Sequence, residues 1–140
     1  MELAYLGGLL ALGAPVFGLT RTALGYILVD ADGLILLRDA LTGRRDWDPI
    51  DTLGRMRRRL PRPQAHAEAT LRRRAVGRCV KQGLAKMLGR TLPKGAVYLN
   101  TGHSNLSHRT LGGVGAAGLR IAVLVHDAIP LDHPDTQRPG

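Results

Sequence analysis

Side chains that could bind a ligand or do chemistry are concentrated in two polar segments near the C-terminal end of the chain. His126 and Asp127 follow directly after the apolar run 121–125. The other segment begins shortly after the apolar run 96–99 and contains Thr101, Gly102, His103 and Ser104. Imidazoles can donate hydrogen bonds to sugar hydroxyls or phosphates, and a carboxylate can accept them from hydroxyls. These residues are therefore the first candidates for a binding or catalytic site.

Two strands and the helix between them must position these segments. A short continuous apolar run bounded by turn signals predicts a buried strand of the kind found in parallel sheets. The Gly/Ala-rich stretch 111–118 predicts a short helix. Strand, helix and strand in this order form a βαβ crossover with parallel strands. Because ligands sit just beyond the carboxyl ends of such strands, the sequence predicts an α/β fold with both polar segments at one sheet edge.

Plainer and different readings of the same residues stay open. His126 and Asp127 could simply cap and turn the strand. A metal site has enough ligands on paper, but no His-x-x-x-His helix or cysteine pair fixes their geometry. These potential ligands are His103, His108, His126, Asp127, Asp132 and His133. A hydrolase built on Ser104 would need a Gly-x-Ser-x-Gly elbow, which the sequence lacks. We therefore expect no bound metal and no serine nucleophile.

Arginine supplies the second candidate surface. The chain carries a formal net charge of +9, and two arginine triplets flank Pro61 and Pro63. The triplets are Arg57, Arg58 and Arg59, and Arg72, Arg73 and Arg74. They could form a solvated face, contact an anionic membrane, or bind nucleic acid. With 4% aromatics, a base-stacking platform is disfavoured, so membrane or another anion is the preferred partner.

Composition describes one globular unit. Its 140 residues, 44% hydrophobic, suffice for a single domain with a core. Cys79 is the only cysteine, which excludes an internal disulfide and a cysteine-based zinc site. The apolar stretch 2–12 contains Glu2, lacks a positive leader and is too short to span a bilayer. We expect a cytoplasmic protein that is soluble or peripheral on the inner face of the membrane.

Hydrophobic periodicity gives the remaining elements. It predicts a helix over 2–12, strand-like runs over 16–20 and 26–29, and a helix over 34–41 capped by Asp30 or Asp32. Next come a short basic helix over 51–60 and the longest helix over 64–90. The long helix is indicated by an apolar stripe at three- and four-residue steps.

The two polar segments also resemble motifs of a known family. Residues 98–104 read YLNTGHS, and residues 126–140 read HDAIPLDHPDTQRPG. This pair is similar to the "YLNxGHS" and "HDxIPxxHPxxxRPG" segments in the N-terminal half of group 1 (family 4) glycosyltransferases. Ala128 stands where leucine is commoner. The resemblance is strong over 96–140 and loose before it.

This resemblance implies a GT-B enzyme, in which two Rossmann-like domains face each other across a cleft and a sugar passes from a nucleotide-sugar to an acceptor. It implies retention of configuration without a metal. His126, with Asp127 beside it, would be catalytic, and Thr101 to Ser104 would line the acceptor side. A glycan or lipid-linked acceptor and a role in cell-surface polysaccharide synthesis would follow.

The same resemblance implies that residues 1–140 are a single partial domain. It would be a Rossmann-like parallel sheet with flanking helices, an incomplete N-terminal half of a GT-B fold. The nucleotide-sugar would be held by a C-terminal domain absent here, so this segment would bind no cofactor and show little or no activity alone. A missing first strand would leave sheet edges open to self-association. The rival interpretation is a small basic binding protein for nucleic acid or an anionic membrane surface.

Overall fold

The computed structural model describes residues 3–100 and 107–123. Within them, helices and strands alternate along the chain. The helices are α1 (Leu3–Ala11), α2 (Ala31–Leu41), α3 (Thr52–Met56), α4 (Arg62–Arg73), α5 (Leu84–Thr91) and α6 (His108–Ala116). The strands are β1 (Gly18–Arg21), β2 (Gly25–Val29), β3 (Ala75–Val80), β4 (Val97–Asn100) and β5 (Arg120–Val123), and a 3-10 turn (Lys81–Gly83) precedes α5.

Strand β2 is the centre of the molecule. It pairs antiparallel with β1 on one side and with β3 on the other, and all of its residues are buried. Tyr26 and Leu28 pack in one hydrophobic cluster with α5 and α6, whereas Ile27 and Val29 pack in another with α1, α2 and α4. A strand buried on both faces needs a continuous apolar run instead of an alternating one, and Tyr-Ile-Leu-Val supplies it.

Side-chain caps fix the starts of three helices. Asp30 caps α2 by accepting a hydrogen bond from the Gly33 amide at 3.0 Å, which decides between the two predicted caps. Asp51 does the same for α3, with Gly54 at 2.9 Å. Ser107 caps α6. Each cap satisfies an amide that a helix start otherwise leaves without a partner.

The predicted long helix over 64–90 is wrong. The chain leaves α4 after Arg73, forms β3, and returns to helix in α5. Residues 71, 75 and 79 are spaced for a helix face, but 75, 77 and 79 are equally the inner face of a strand, and burial in β3 alternates accordingly. The pairing of β3 with β2 decides in favour of the strand. Gly77 fits this arrangement because a Cβ there would lie 2.7 Å from Met87 Sδ of α5.

Strands β4 and β5 form a separate, parallel pair. Val97 is the register partner of Arg120, and Asn100 of Val123, and α6 connects the two strands. This confirms the predicted strand–helix–strand unit. The prediction that its strands are buried is wrong, because Val97 and Leu99 of β4 and Ile121 of β5 are 51%, 41% and 43% exposed. The described fold is thus mixed α/β, with an antiparallel three-stranded sheet and a parallel two-stranded one. In the described part of the chain, no helix is both long and apolar enough to span a bilayer.

Candidate functional site

The ends of β4 and β5 lie side by side. Asn100 and Val123, the last residues of these strands, are register partners, so the chain leaves both strands at the same edge. The predicted site residues follow these positions and lie outside the described residues. They are Thr101, Gly102, His103, Ser104, His126 and Asp127. That these residues lie together at this edge remains a prediction. It is supported by the parallel pairing of β4 with β5.

Strand β4 contributes two polar side chains next to this edge, those of Tyr98 and Asn100. Asn100 is buried, and its amide donates a hydrogen bond to the Tyr98 hydroxyl at 3.3 Å. Burial raises the pKa of Tyr98 above its ordinary value. The phenol is therefore protonated at neutral pH. It can form hydrogen bonds near this edge, but it cannot act as a base.

A chain of three hydroxyls ties the start of α6 to β2. The Ser107 hydroxyl lies 3.0 Å from the hydroxyl of Thr110 and accepts a hydrogen bond from the Thr110 amide. Thr110, which is fully buried, lies 2.8 Å from the Tyr26 hydroxyl. The crossover helix is thereby held against the central strand at its N-terminal end.

Beside these hydroxyls is a basic cleft that the sequence did not reveal. It has a volume of about 540 Å³, and its lining includes Arg21 of β1, Lys81 of the 3-10 turn and Arg109 of α6. These cations come from distant parts of the chain, so no sequence motif joins them. One local signal was available: Arg109 stands in the first turn of α6, where positive charge is unfavourable.

The arginine triplets separate into internal and external members. Arg72 binds Asp51 through two short hydrogen bonds of 2.6 and 2.7 Å and reaches Glu68 at 3.1 Å. Its side chain is only 6% exposed. The hydrogen bond from Arg72 lowers the pKa of Asp51 to about 2, and the same pairing raises the pKa of Arg72. Arg72 therefore joins α4 to the start of α3.

The other triplet members lie nearer the surface. Arg57 contacts Glu68 at 3.3 Å and Arg73 contacts Asp48 at 3.7 Å. The remaining three are exposed and form no ion pair with the described residues; they are Arg58, Arg59 and Arg74.

The turn from α3 to α4 combines positive charge with exposed apolar side chains. Met56 is 76% exposed and Leu53 is 37% exposed. Next to them is a shallow cleft of about 240 Å³ lined largely by arginines, namely Arg55, Arg57, Arg58 and Arg62. We call residues 53–62 the basic corner.

Metal ligation and thiol chemistry find no support in the described residues. Over 3–100 and 107–123, no group of three or more His, Cys, Asp or Glu side chains is placed to hold a metal ion. Of the potential ligands from the sequence, His108 alone is described, and it is exposed. Burial raises the pKa of Cys79, so it is a thiol at neutral pH and a poor nucleophile.

Comparison with known proteins gives this chain no family. No family model, no curated protein and no solved structure matches it.

Proposed function

We propose that this chain is part of the acceptor-binding half of a sugar-transferring enzyme of the GT-B type. The proposal includes the finer fold assignment, a Rossmann-like domain whose parallel strands carry the site. It rests on the resemblance of segments 98–104 and 126–140 to group 1 glycosyltransferases.

The observation that carries the proposal is the parallel pairing of β4 with β5. Segment 98–104 begins within β4 and continues past its end, and segment 126–140 comes after β5. The last residues of the two strands, Asn100 and Val123, are partners. A parallel pair joined by a helix delivers its following loops to one edge, where α/β proteins bind their ligands. This topology supports a common site for the two segments.

In the proposed reaction, His126 lies next to the transferred sugar and donates a hydrogen bond to it, with Asp127 beside it. The loop of Thr101, Gly102, His103 and Ser104 contacts acceptor hydroxyls. The nucleotide-sugar donor is held by the other half of the enzyme, as in the family that the motifs resemble. A glycan or lipid-linked sugar is the acceptor, in cell-surface polysaccharide synthesis.

Acceptor binding by this chain tests the proposal. A panel of oligosaccharides and short-chain lipid-linked sugars is titrated against the wild type and His126→Ala, and the dissociation constant is measured by calorimetry. We expect saturable binding of at least one acceptor, weakened about tenfold or more in the variant through loss of one hydrogen bond and its contacts. His108→Ala, which removes an exposed histidine from α6, is the matched control. Absence of binding across the panel, or equal losses in both variants, would contradict the proposal.

A second candidate function is favoured by the basic corner. Exposed Met56 and Leu53 among unpaired arginines form the combination that binds peripheral proteins to anionic membranes, apolar contact plus charge attraction. A solvated basic face would not need the exposed methionine. The two functions are compatible, because an enzyme acting on lipid-linked acceptors works at a membrane surface.

Vesicle co-sedimentation tests this second function. With vesicles containing an anionic phospholipid, we expect salt-sensitive binding that is weakened in Met56→Ala and in the double variant Arg58→Gln/Arg59→Gln. Lys86→Gln/Arg90→Gln removes the same charge from the exposed side of α5 and should retain most of the binding. If both double variants lose binding equally, net charge alone is responsible. Binding to duplex DNA that is stronger than binding to vesicles would favour nucleic acid instead.

A further inference from the structure

We propose that the basic cleft between β1, the 3-10 turn and α6 binds the phosphate group of a small phosphorylated molecule. The inference does not depend on the sugar-transfer proposal, because it uses none of the motif residues. It is built on three cations, a chain of hydroxyls and the volume they enclose.

Among the described residues, no counter-charge is paired with the cations of the cleft. Arg21, Lys81 and Arg109 line it from three separate elements, and none of them forms an ion pair with the described residues. No acidic residue is among the described residues that line the cleft. Some arginines elsewhere are paired with carboxylates, as Arg72 is with Asp51, whereas others, such as Arg58 and Arg59, form no ion pair with the described residues. Three unpaired cations that line one concavity give it a positive potential, which favours the binding of an anion.

The position of Arg109 strengthens this point. It is the second residue of α6, a helix of nine residues with no acidic side chain in its first turn. The start of a helix carries partial positive charge, so a cation there is destabilising and an anion is stabilising. An anion in the cleft would be attracted both by the three side chains and by the end of the helix.

The hydroxyl chain supplies a hydrogen-bond donor as well. Fully buried Thr110 donates to one of its two hydroxyl neighbours, Tyr26 and Ser107, and accepts from the other. In either arrangement one hydroxyl proton is left over, on Tyr26 or on Ser107, and both residues line the cleft. The cleft thus offers positive charge together with a hydroxyl donor, and a phosphate has three oxygens that can accept hydrogen bonds.

The size of the cleft indicates more than a free ion. At about 540 Å³, it falls within the range of roughly 300 to 1,000 Å³ typical of small-molecule sites. A phosphate group fills only part of this space. The remainder can receive the organic portion of a phosphomonoester.

Titration of the full chain with defined anions tests the inference. Inorganic phosphate, a sugar phosphomonoester and a nucleoside diphosphate are added at constant ionic strength, and amide chemical shifts are followed by NMR. We expect saturable shifts centred on Ser107, Arg109 and Lys81, with the tightest of the three probes identifying the source of the phosphate. No saturable shift at these amides with any probe would overturn the inference.

Charge variants separate a site from general attraction. Arg109→Gln and Lys81→Gln should each weaken phosphate binding about tenfold, the cost of losing one charge-assisted hydrogen bond. Lys86→Gln and Arg90→Gln on α5 remove equal charge outside the cleft and should leave the affinity within about twofold. Circular dichroism checks that each variant is folded, which the exposure of all four side chains favours. Equal losses in all four variants, or loss of anionic-vesicle binding in Arg109→Gln without a change in phosphate binding, would refute a phosphate site.

Discussion

Gly25 shows how closely the central sheet is built. It begins β2 opposite Val80, and a Cβ at this position would meet the Cys79 carbonyl oxygen and lie 2.8 Å from the Val80 Cα. Both contacts are with backbone, which cannot move away without breaking the pairing of β2 with β3. Gly25→Ala should therefore lower the free energy of unfolding by about 3 kcal/mol, measured by urea denaturation.

The control for this substitution is Gly89→Ala. Gly89 lies on the exposed side of α5, and a Cβ there meets nothing within 4 Å. Alanine at such a helical position should stabilise the protein by about 0.5 to 1 kcal/mol. A neutral or stabilising effect of Gly25→Ala would contradict the close contact between the β3 backbone and the start of β2.

Asp51 gives the protein a specific dependence on acid. Its pKa in the folded protein is about 2, against an ordinary value of 3.8, chiefly because Arg72 donates hydrogen bonds to it. A carboxylate whose pKa is depressed by folding stabilises the folded state above its unfolded pKa, and this contribution is lost as the pH falls through the folded value. For Asp51 the loss should occur between about pH 4 and pH 2. It should amount to about 1 kcal/mol once solvent screening of the partly exposed carboxylate is allowed for.

The measurement compares wild type with Asp51→Asn across this pH range by urea denaturation. Asparagine can still accept the capping hydrogen bond from Gly54, so the difference between the two proteins reports the charge. We expect wild type to be more stable at neutral pH and the difference to vanish toward pH 2. A difference independent of pH would show that the charge of Asp51 contributes nothing.

Arg72 of α4 links this helix to the start of α3. It contacts the α3 cap Asp51 and also Glu68, which is 4% exposed. Arg72→Met would leave Glu68 buried with a weaker partner, and breaking a buried ion pair from one side costs about 3 kcal/mol or more. The expected result is a lower midpoint of urea denaturation and a detached α3.

Arg74→Met is the matched control for Arg72→Met, since the residue is two positions away, exposed and without an ion pair among the described residues. It should change the free energy of unfolding by less than about 0.5 kcal/mol. Equal effects in the two variants would mean that the triplet acts only through its total charge. The triplet looks uniform in sequence, and only the fold separates its structural member from its surface members.

Several helices and strands could be predicted from neighbouring residues, because an apolar run or a capping side chain is enough to determine them. The run Tyr26–Val29 is apolar at every position, and Asp30 caps the helix that follows, so strand and helix were both evident. The structure of residues 71–90 could not be predicted locally, because the spacing of Leu71, Ala75 and Cys79 fits a helix as well as the start of a strand. What decides between them is the open edge of β2, to which β3 adds, and this edge belongs to a part of the chain about fifty residues away.

The candidate sites divide in the same way. The polar segments after β4 and β5 were found from the sequence, since an apolar run followed by polar residues is a local pattern. The basic cleft could not be, because Arg21, Lys81 and Arg109 meet only after the hairpin, the 3-10 turn and α6 have packed together. The net charge of the sequence shows an excess of cations but does not indicate where they lie in the fold.

Strand β2 contributes residues to both hydrophobic clusters of the described fold. Tyr26 and Leu28 belong to the cluster with α5 and α6, and Ile27 and Val29 belong to the cluster with α1, α2 and α4. Since adjacent residues of one strand serve opposite layers, loss of either layer exposes one face of the strand on which the other depends. Two clusters that share their central element should not unfold separately.

Hydrogen exchange of two core variants tests this cooperativity. Leu88→Ala empties a buried position in the first cluster and Leu34→Ala one in the second, each at an expected cost of about 3 kcal/mol. If the molecule is one unit, either variant should lower the protection of amides in α2 and in α5 by the same free energy. Leu12→Ala, at a position 72% exposed, should leave both helices unchanged. Loss of protection confined to the mutated side would show two independent layers, and β2 would then be a boundary between them instead of their common core.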